Sequence, residues 1–222
     1  MHKIKEIFNL LKTKYEAINP LTREIIETVI FVIVMVIIVR YFIGEIRWIP
    51  SASMHPTLLE GDRIVVERFS RFYRTPKRGD IMVFYPPFEK LKNTPWRVFS
   101  RLTGFFCKDI AYIKRVIGLP GEKVEIKPDK AGKYTVYING NPLEETYIQS
   151  PYDYPQCSEA IECKFDIPEG YYLMLGDNRG NSQDGRYWGL LPRERFIGRA
   201  VTIVWPIKRI HRLWNNPYEI KD

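Results

Sequence analysis

The stretch "KYTVYINGNPL", residues Lys133–Leu143, carries the clearest signal for the fold of this chain. Tyr134, Val136 and Ile138 recur at every second position, which places them on one face of an extended strand. Asn139-Gly140 follows at once, and this dipeptide is typical of the two-residue turns that join antiparallel strands. The stretch therefore predicts a β-hairpin.

Other stretches extend this prediction to most of the chain after residue 50. They are rich in β-branched and aromatic residues and are bounded by turn-forming residues. They are "DRIVVERF" (62–69), "GDIMVFYPP" (79–87), "YYLMLGDN" (171–178) and "GRAVTIVWPI" (198–207). A helical pattern occurs there only around Thr94–Leu102. We therefore expect a mainly β domain of antiparallel sheets, with insertions or a small second lobe at about 87–108 and 127–167.

The run "VIFVIVMVIIV", residues Val29–Val39, has no polar residue. Widened to 25–44, it forms a twenty-residue helix about 30 Å long, which matches the hydrocarbon core of a bilayer. Its distance from the small residues around Ser53 argues against a cleaved signal peptide. The sequence thus predicts a single transmembrane anchor at 25–44, with residues 1–24 in the cytoplasm and the remaining residues, 45–222, on the other side.

Composition excludes several classes of partner. Lys and Arg number 34 against 26 Asp and Glu, but the charges are scattered, so we expect no nucleic-acid partner. With three histidines, no C-x-x-C and no H-E-x-x-H, we expect no metal and no cofactor. Cys157 and Cys163 lie in a loop-like stretch and could close a small disulfide in an oxidising compartment.

The stretch "IPSASMHPTLLEGD", Ile49–Asp62, raises the possibility of a nucleophilic serine. Such a serine needs a base, and histidine is the usual one. His2 lies beyond the predicted membrane segment, and His211 is in the C-terminal tail. His55 is only two residues from Ser53 and would reach it poorly in an extended chain. An activated serine here would therefore need a lysine that apolar surroundings keep neutral.

Four segments in order resemble the sequence boxes of bacterial type I signal peptidases, also called leader peptidases. One such box alone would be a weak match, but four behind an N-terminal anchor are specific. They are "PSASMHPTL" (50–58), "RGDIMVF" (78–84), "YIKRVIGLPGE" (112–122) and "GDNRGNSQDGRYWG" (176–189). The resemblance implies a membrane-anchored serine endopeptidase with a Ser/Lys dyad on a signal-peptidase-like β scaffold.

The same resemblance implies a role for each matching residue. Ser53 matches the nucleophile, Lys114 the general base, and Ser51 a hydroxyl that stabilises the oxyanion with the Ser53 backbone N–H. Ser182 matches a serine that hydrogen-bonds and orients the lysine amine. Structural or electrostatic support is expected from Asp177, Asp184 and Arg186.

Alternation along the third box does not decide which of two neighbouring cations is buried, because Lys114 and Arg115 point to opposite faces of a strand. With the resemblance, we expect Lys114 to point inward and Arg115 outward. The family's preference for small residues one and three positions before the cut implies two shallow pockets beside Ser53. Met54, Ile49 and Ile110–Ile113 are the predicted lining.

The expected partners are preprotein signal peptides and membrane lipid, with the chain acting as a monomer. The expected location is the bacterial plasma membrane, with the catalytic domain on its periplasmic or extracellular side. Self-cleaving repressors share the dyad, but they carry a DNA-binding unit where this chain has its apolar segment. Two alternatives stay open: a specialised processing peptidase of a secretion or conjugation system, and a non-catalytic, membrane-tethered binding module.

Overall fold

The fold is described from a computed structural model of the 222-residue chain. The described residues are 6, 13, 15, 18–40, 44–91, 93–103, 109–148, 157 and 163–213. The chain divides into two compact units, residues 1–40 and 41–222, and each is treated by itself below.

The first unit contains helix α1, Pro20–Ile38. Asn19 caps its N-terminus, because its side chain accepts a hydrogen bond from the Leu21 amide at 3.0 Å. Pro20 occupies the first helical position. A backbone N–H at this position would have no hydrogen-bond partner within the helix, so proline, which lacks this N–H, fits there. No residue of α1 is buried. Among the described residues, no helix combines the length and apolarity required to cross a membrane.

The second unit is built from short strands, as the sequence predicts. In chain order they are β1 (Gly44–Trp48), β2 (Arg63–Glu67), β3 (Ile81–Phe84), β4 (Tyr112–Gly118), β5 (Lys123–Pro128), β6 (Tyr134–Ile138), β7 (Asn141–Pro142), β8 (Lys164–Asp166), β9 (Tyr171–Leu175), β10 (Leu191–Pro192), β11 (Phe196–Trp205) and β12 (His211–Arg212). Two short helices accompany them, α2 (Pro95–Thr103) and α3 (Gly185–Trp188). Helix α2 confirms the helical pattern around 94–102.

The larger sheet has the strand order β1-β2-β11-β3-β4-β9-β10, with β12 paired to β11. Its strand pairs are antiparallel, which confirms the predicted fold class. Strand β4 lies between β3 and β9, with Lys114 opposite Met82 of β3. Pairing with β9 begins only at Arg115, so among the described strands the start of β4 pairs with β3 alone.

The smaller sheet has the order β7-β6-β5-β8 and is inserted in sequence between β4 and β9. Together with residues 143–148, which follow β7, this sheet is named here the small lobe. The predicted hairpin turn is confirmed: Asn139 and Gly140 have positive φ angles of 51° and 87° and join β6 to β7. A disulfide joins Cys157 to Cys163, the pairing that the sequence left open.

Three hydrophobic clusters hold the second unit together. One joins the two sheets, because Ile117 and Leu175 of the larger sheet pack with Val124 and Val136 of the small lobe. Another surrounds Met54 and Leu58, which follow Ser53 and are fully buried. The third lies around Phe84, Val116 and Met174. Strand β4 contributes to all three clusters, so its backbone is held on both faces.

Candidate active site

Ser53 sits in a single 3₁₀ turn, Ala52–Met54, that follows the extended residue Ser51. The buried side chains of Met54 and Leu58 anchor this turn in the core, and Ser53 itself is buried. Its Oγ accepts a hydrogen bond of 2.8 Å from the Lys114 Nζ. The Ser51 Oγ lies 3.3 Å from the Ser53 Oγ, on the exposed side of the turn.

Lys114 on β4 is only 4% exposed. Its amine donates to the Ser53 Oγ and, at 3.0 Å, to the Ile113 carbonyl oxygen, and it lies 5.5 Å from the centre of the Tyr112 ring. Burial lowers the pKa of Lys114 from 10.5 to about 8, against the opposing influence of Asp184 and Asp177. A pKa of about 8 leaves about a tenth of this amine neutral at pH 7, and only the neutral form can accept a proton.

The sequence analysis predicted that Arg115 points outward, and this prediction is wrong. The residue is 3% exposed, and its Nε donates to Asp177 at 2.7 Å, with a second bond from Nη2 to the same carboxylate. It also donates to the Gly79 carbonyl oxygen and to the Thr57 hydroxyl. The small lobe covers this face of β4, and the fixed guanidinium fork finds a partner for each of these donors.

The segment Gly176–Ser182, named here the site loop, follows β9 and holds the serine turn from outside. The Asn178 amide donates to the Ser53 carbonyl oxygen at 3.2 Å, and the Asn178 side-chain amide donates to the Ala52 carbonyl oxygen at 3.1 Å. Gly176 is required for this approach. A Cβ there would lie 2.5 Å from the Ser53 carbonyl oxygen and 2.2 Å from the Ser182 Oγ.

Ser182 lies in this same region, with a buried side chain next to Gly176. In this structure the hydrogen bonds of the Lys114 amine go to Ser53 and Ile113. The orienting role of Ser182 therefore stays a prediction.

Asp184 and Arg186 form a fully buried ion pair, with Nε and Oδ1 at 2.9 Å. Asp184 also caps helix α3 through the Arg186 amide and accepts a bond from the Gly176 amide at 3.0 Å. Burial would raise the pKa of Asp184, but Arg186 and the Gly176 amide hold it below its ordinary value. The Asp184 carboxylate therefore stays charged and holds the start of the site loop at Gly176.

An open cleft of about 470 Å³ runs past the dyad. Ser51–Ser53 and Ile110–Lys114 line it, with Glu60, Asn181 and Gln183 at its polar edge. Two predicted lining residues, Met54 and Ile49, are buried in the core instead. Among the described residues, no three His, Cys, Asp or Glu side chains are grouped so that they could hold a metal ion.

Several residues at this site have little or no signal in the sequence. Thr57 lies inside the first box, and its hydroxyl donates to Asp177 at 2.5 Å. Glu145 and Tyr147 of the small lobe contact Arg179 of the site loop. These two residues stand in a polar stretch, and only the fold brings them to the site.

Comparison with known proteins gives a consistent result. Residues 22–205 match the model of the family described as signal peptidase, peptidase S26. Signal peptidase I from Leptolyngbya laminosa is 42% identical over 91% of this chain and 88% of its own length. Probable signal peptidase I-2 from Synechocystis sp. is 39% identical over 84% of this chain and 75% of its own length. The crystal structure of a signal peptidase I from Enterococcus faecalis V583 is 31% identical, covering 57% of this chain and 97% of that one, with a TM-score of 0.38.

Proposed function

We propose that Ser53 is the nucleophile and Lys114 the general base of this chain, which belongs to the signal peptidase family, peptidase S26, and cleaves signal peptides as a serine endopeptidase. The proposed cut follows small residues at the first and third positions before the scissile bond. The observation that carries the proposal is the 2.8 Å contact between a buried amine and a buried serine hydroxyl. The lowered pKa of Lys114, about 8, supports the proposal because it allows part of the amine to be neutral and to accept the serine proton near neutral pH.

In the proposed mechanism the neutral Lys114 amine takes the proton from the Ser53 Oγ as that oxygen attacks the scissile carbonyl carbon. The carbonyl π electrons move to oxygen and give a tetrahedral oxyanion. The Ser51 hydroxyl and the Ser53 backbone N–H are the proposed donors to this oxyanion. The Lys114 ammonium then gives its proton to the departing amine. Water then attacks the acyl-enzyme carbonyl carbon while Lys114 takes a proton from it; the bond from that carbon to the Ser53 Oγ breaks, the carboxylic acid product leaves, and Lys114 returns the proton to the Ser53 Oγ.

The remaining predicted residues have supporting roles in this proposal. Ser182, whose side chain is buried beside Gly176, orients the lysine amine. Asp177 holds Arg115, and Asp184 with Arg186 holds the site loop. The two carboxylates also act at a distance, since both raise the pKa of Lys114 against the effect of burial.

The substrate in this proposal lies extended along the cleft, beside the start of β4. Within the part of the chain that the structure describes, this part of β4 pairs with β3 alone, because pairing with β9 begins at Arg115. A free strand edge allows an extended peptide to add by backbone hydrogen bonds. Ile110–Ile113 line the cleft and are the proposed apolar contacts for small side chains.

The proposal also includes a membrane anchor at residues 25–44, with 1–24 in the cytoplasm and the catalytic domain at 45–222 on the opposite side. Its support is the composition of α1, whose apolar side chains, such as Val29, Phe31 and Ile33, are exposed. An exposed apolar helix gains stability by transfer into lipid. We propose lipid contact through this helix and function as a monomer.

The dyad is tested by Ser53→Ala and Lys114→Ala in the full chain, assayed on a preprotein. We expect loss of cleavage with the folded structure retained in circular dichroism. Full activity in either variant would overturn the proposed dyad. A binding module would bind the preprotein equally in the wild type and both variants and would cut it in none. A specialised processing peptidase would cut its own precursor but not a general panel.

The anchor is tested by membrane fractionation. The full chain should sediment with membranes and resist extraction at high pH, whereas a chain starting at residue 45 should be released. Release of both forms would overturn the anchor and leave the dyad unaffected.

A further inference from the structure

The small lobe reaches the site through the turn after β7, where Glu145 and Tyr147 contact arginines of the catalytic region. We propose that Glu145 and Tyr147 are positioning residues for the reaction at Ser53, because they fix the site loop and the strand that carries Lys114. This inference rests on the proposed function. Neither residue has a hydrogen bond to Ser53 or Lys114, so any effect must pass through other side chains.

The first link is a buried ion pair between the lobe and the site loop. The Glu145 carboxylate accepts from the Arg179 Nη1 at 2.9 Å and from Nη2, and both side chains are almost fully buried. Arg179 Nη2 also donates to the Tyr147 hydroxyl at 3.2 Å, and that hydroxyl donates to Glu145. Two parallel hydrogen bonds fix the relative orientation of the carboxylate and the guanidinium. Separating the pair would leave a buried charge without compensation, so the pair stays closed.

The second link runs from Arg179 to the nucleophile. Arg179 Nε donates to the Gly176 carbonyl oxygen at 2.9 Å, and the Arg179 carbonyl oxygen accepts from Arg186 at 2.9 Å. The Arg179 guanidinium thus holds the start of the site loop at Gly176, and the Arg179 backbone is held by Arg186. Asn178, which lies between Gly176 and Arg179, donates to the Ser53 carbonyl oxygen. The position of the serine backbone therefore depends on the Glu145–Arg179 pair.

The third link reaches the strand that carries the base. The Arg115 guanidinium carbon lies 4.3 Å from the centre of the Tyr147 ring, and that of Arg179 lies 5.9 Å from it. One aromatic ring thus contacts two cations, one on β4 beside Lys114 and one in the site loop. Tyr147 sets the spacing between the elements that hold the two proposed reacting groups.

A displacement of about 1 Å between reacting groups can lower a rate on the order of a hundredfold. Loss of the Glu145 charge should therefore lower kcat. The KM should change little, because Glu145 and Tyr147 do not line the substrate cleft. A residue that only stabilised the fold would lower the melting temperature and leave kcat of the folded enzyme unchanged.

The test compares Glu145→Gln with Glu122→Gln in the full chain, using steady-state kinetics on a preprotein. Glu122 is a matched control, since it forms a similar bidentate pair with Arg78 at the lobe junction but has no contact with the site loop. We expect Glu145→Gln to lower kcat about tenfold to a hundredfold with KM within about twofold. Glu122→Gln should lower the melting temperature and leave kcat within about twofold.

A second pair of variants keeps the test valid if Glu145→Gln fails to fold. Tyr147→Phe keeps the ring between the two guanidinium groups and should retain most of the kcat, whereas Tyr147→Leu should lose about tenfold. Equal kcat losses in Glu145→Gln and Glu122→Gln, or in the two Tyr147 variants, would overturn the inference. Wild-type kcat in Glu145→Gln would overturn it too. Absence of cleavage by the wild type would instead overturn the proposed function.

Discussion

Strand β4 buries one cation on each face, and the two have opposite chemistry. Lys114 contacts a hydroxyl and a backbone carbonyl oxygen, neither of which carries a charge. Arg115 contacts the Asp177 carboxylate through two nitrogens. Both residues are less than 5% exposed. Burial alone therefore does not determine what a cation does.

The difference lies in whether a counter-charge makes contact. For Lys114, desolvation is the largest influence on the pKa, and the charges of Asp184 and Asp177 only partly offset it. For Arg115, the carboxylate in contact compensates the buried charge, and a guanidinium does not give up its proton in proteins. One face of β4 thus holds the proposed base, and the other holds an ion pair.

The largest expected effect comes from making the two faces alike. Lys114→Arg keeps a cation but removes the ability to become neutral, so it should lower kcat/KM by about 10²–10⁴-fold. Cleavage assays on a preprotein measure the effect. Lys123→Arg, at an exposed lysine, is the matched control and should be fully active. An active Lys114→Arg enzyme would show that Lys114 is not the base.

A smaller effect is expected from removing the counter-charge on the other face. Asp177→Asn leaves Arg115 buried with an uncompensated charge, so the free energy of unfolding should fall by about 3–5 kcal/mol. Urea denaturation followed by circular dichroism measures it. Asp166→Asn removes half of an exposed pair with Lys123 and should change nothing measurable. Equal effects in the two variants would contradict the described burial of the Arg115–Asp177 pair.

The smallest of these effects is the pH dependence of the wild type. The base must be neutral to act, and the pKa of Lys114 is about 8. Thus kcat/KM should rise with pH, reach half its maximum near pH 8, and lie about tenfold below the plateau at pH 7. Asp184 raises the pKa of Lys114, so Asp184→Asn should move the midpoint to lower pH. A midpoint near 10.5 would mean that burial does not act on this amine.

Local pattern was sufficient to predict most of the strands. Alternation over Tyr134–Ile138 and the Asn139-Gly140 dipeptide specify the β6–β7 hairpin, because a strand with one buried face and a two-residue turn are both short-range features. The strand order was not predictable in this way. Pairing of β11 with both β2 and β3 joins segments that are far apart in the chain, and no local signal specifies such partners.

At the candidate site, the family motifs single out Ser53 and Lys114, whose side chains lie 2.8 Å apart, and their catalytic roles stay a prediction. The orientation of Arg115 was predicted wrongly, because strand parity gives the face of a residue but not what covers that face. The small lobe supplies the cover. The predicted place of Ile49 and Met54 in the cleft lining was also wrong. Closeness to Ser53 in sequence does not show whether a side chain faces substrate or core, and both side chains are in the core.

The turn between β5 and β6, residues 129–133, is closed by hydrogen bonds within the turn. The Asp129 carboxylate accepts from the amides of Ala131 and Lys133, and the Asp129 amide donates to the Lys133 carbonyl oxygen. Gly132 has a φ of 77° and open space around it. A fluorescent reporter or an epitope inserted at this tip would sit outside the packed interior. The lobe thus carries its own attachment point for following the enzyme in a living cell.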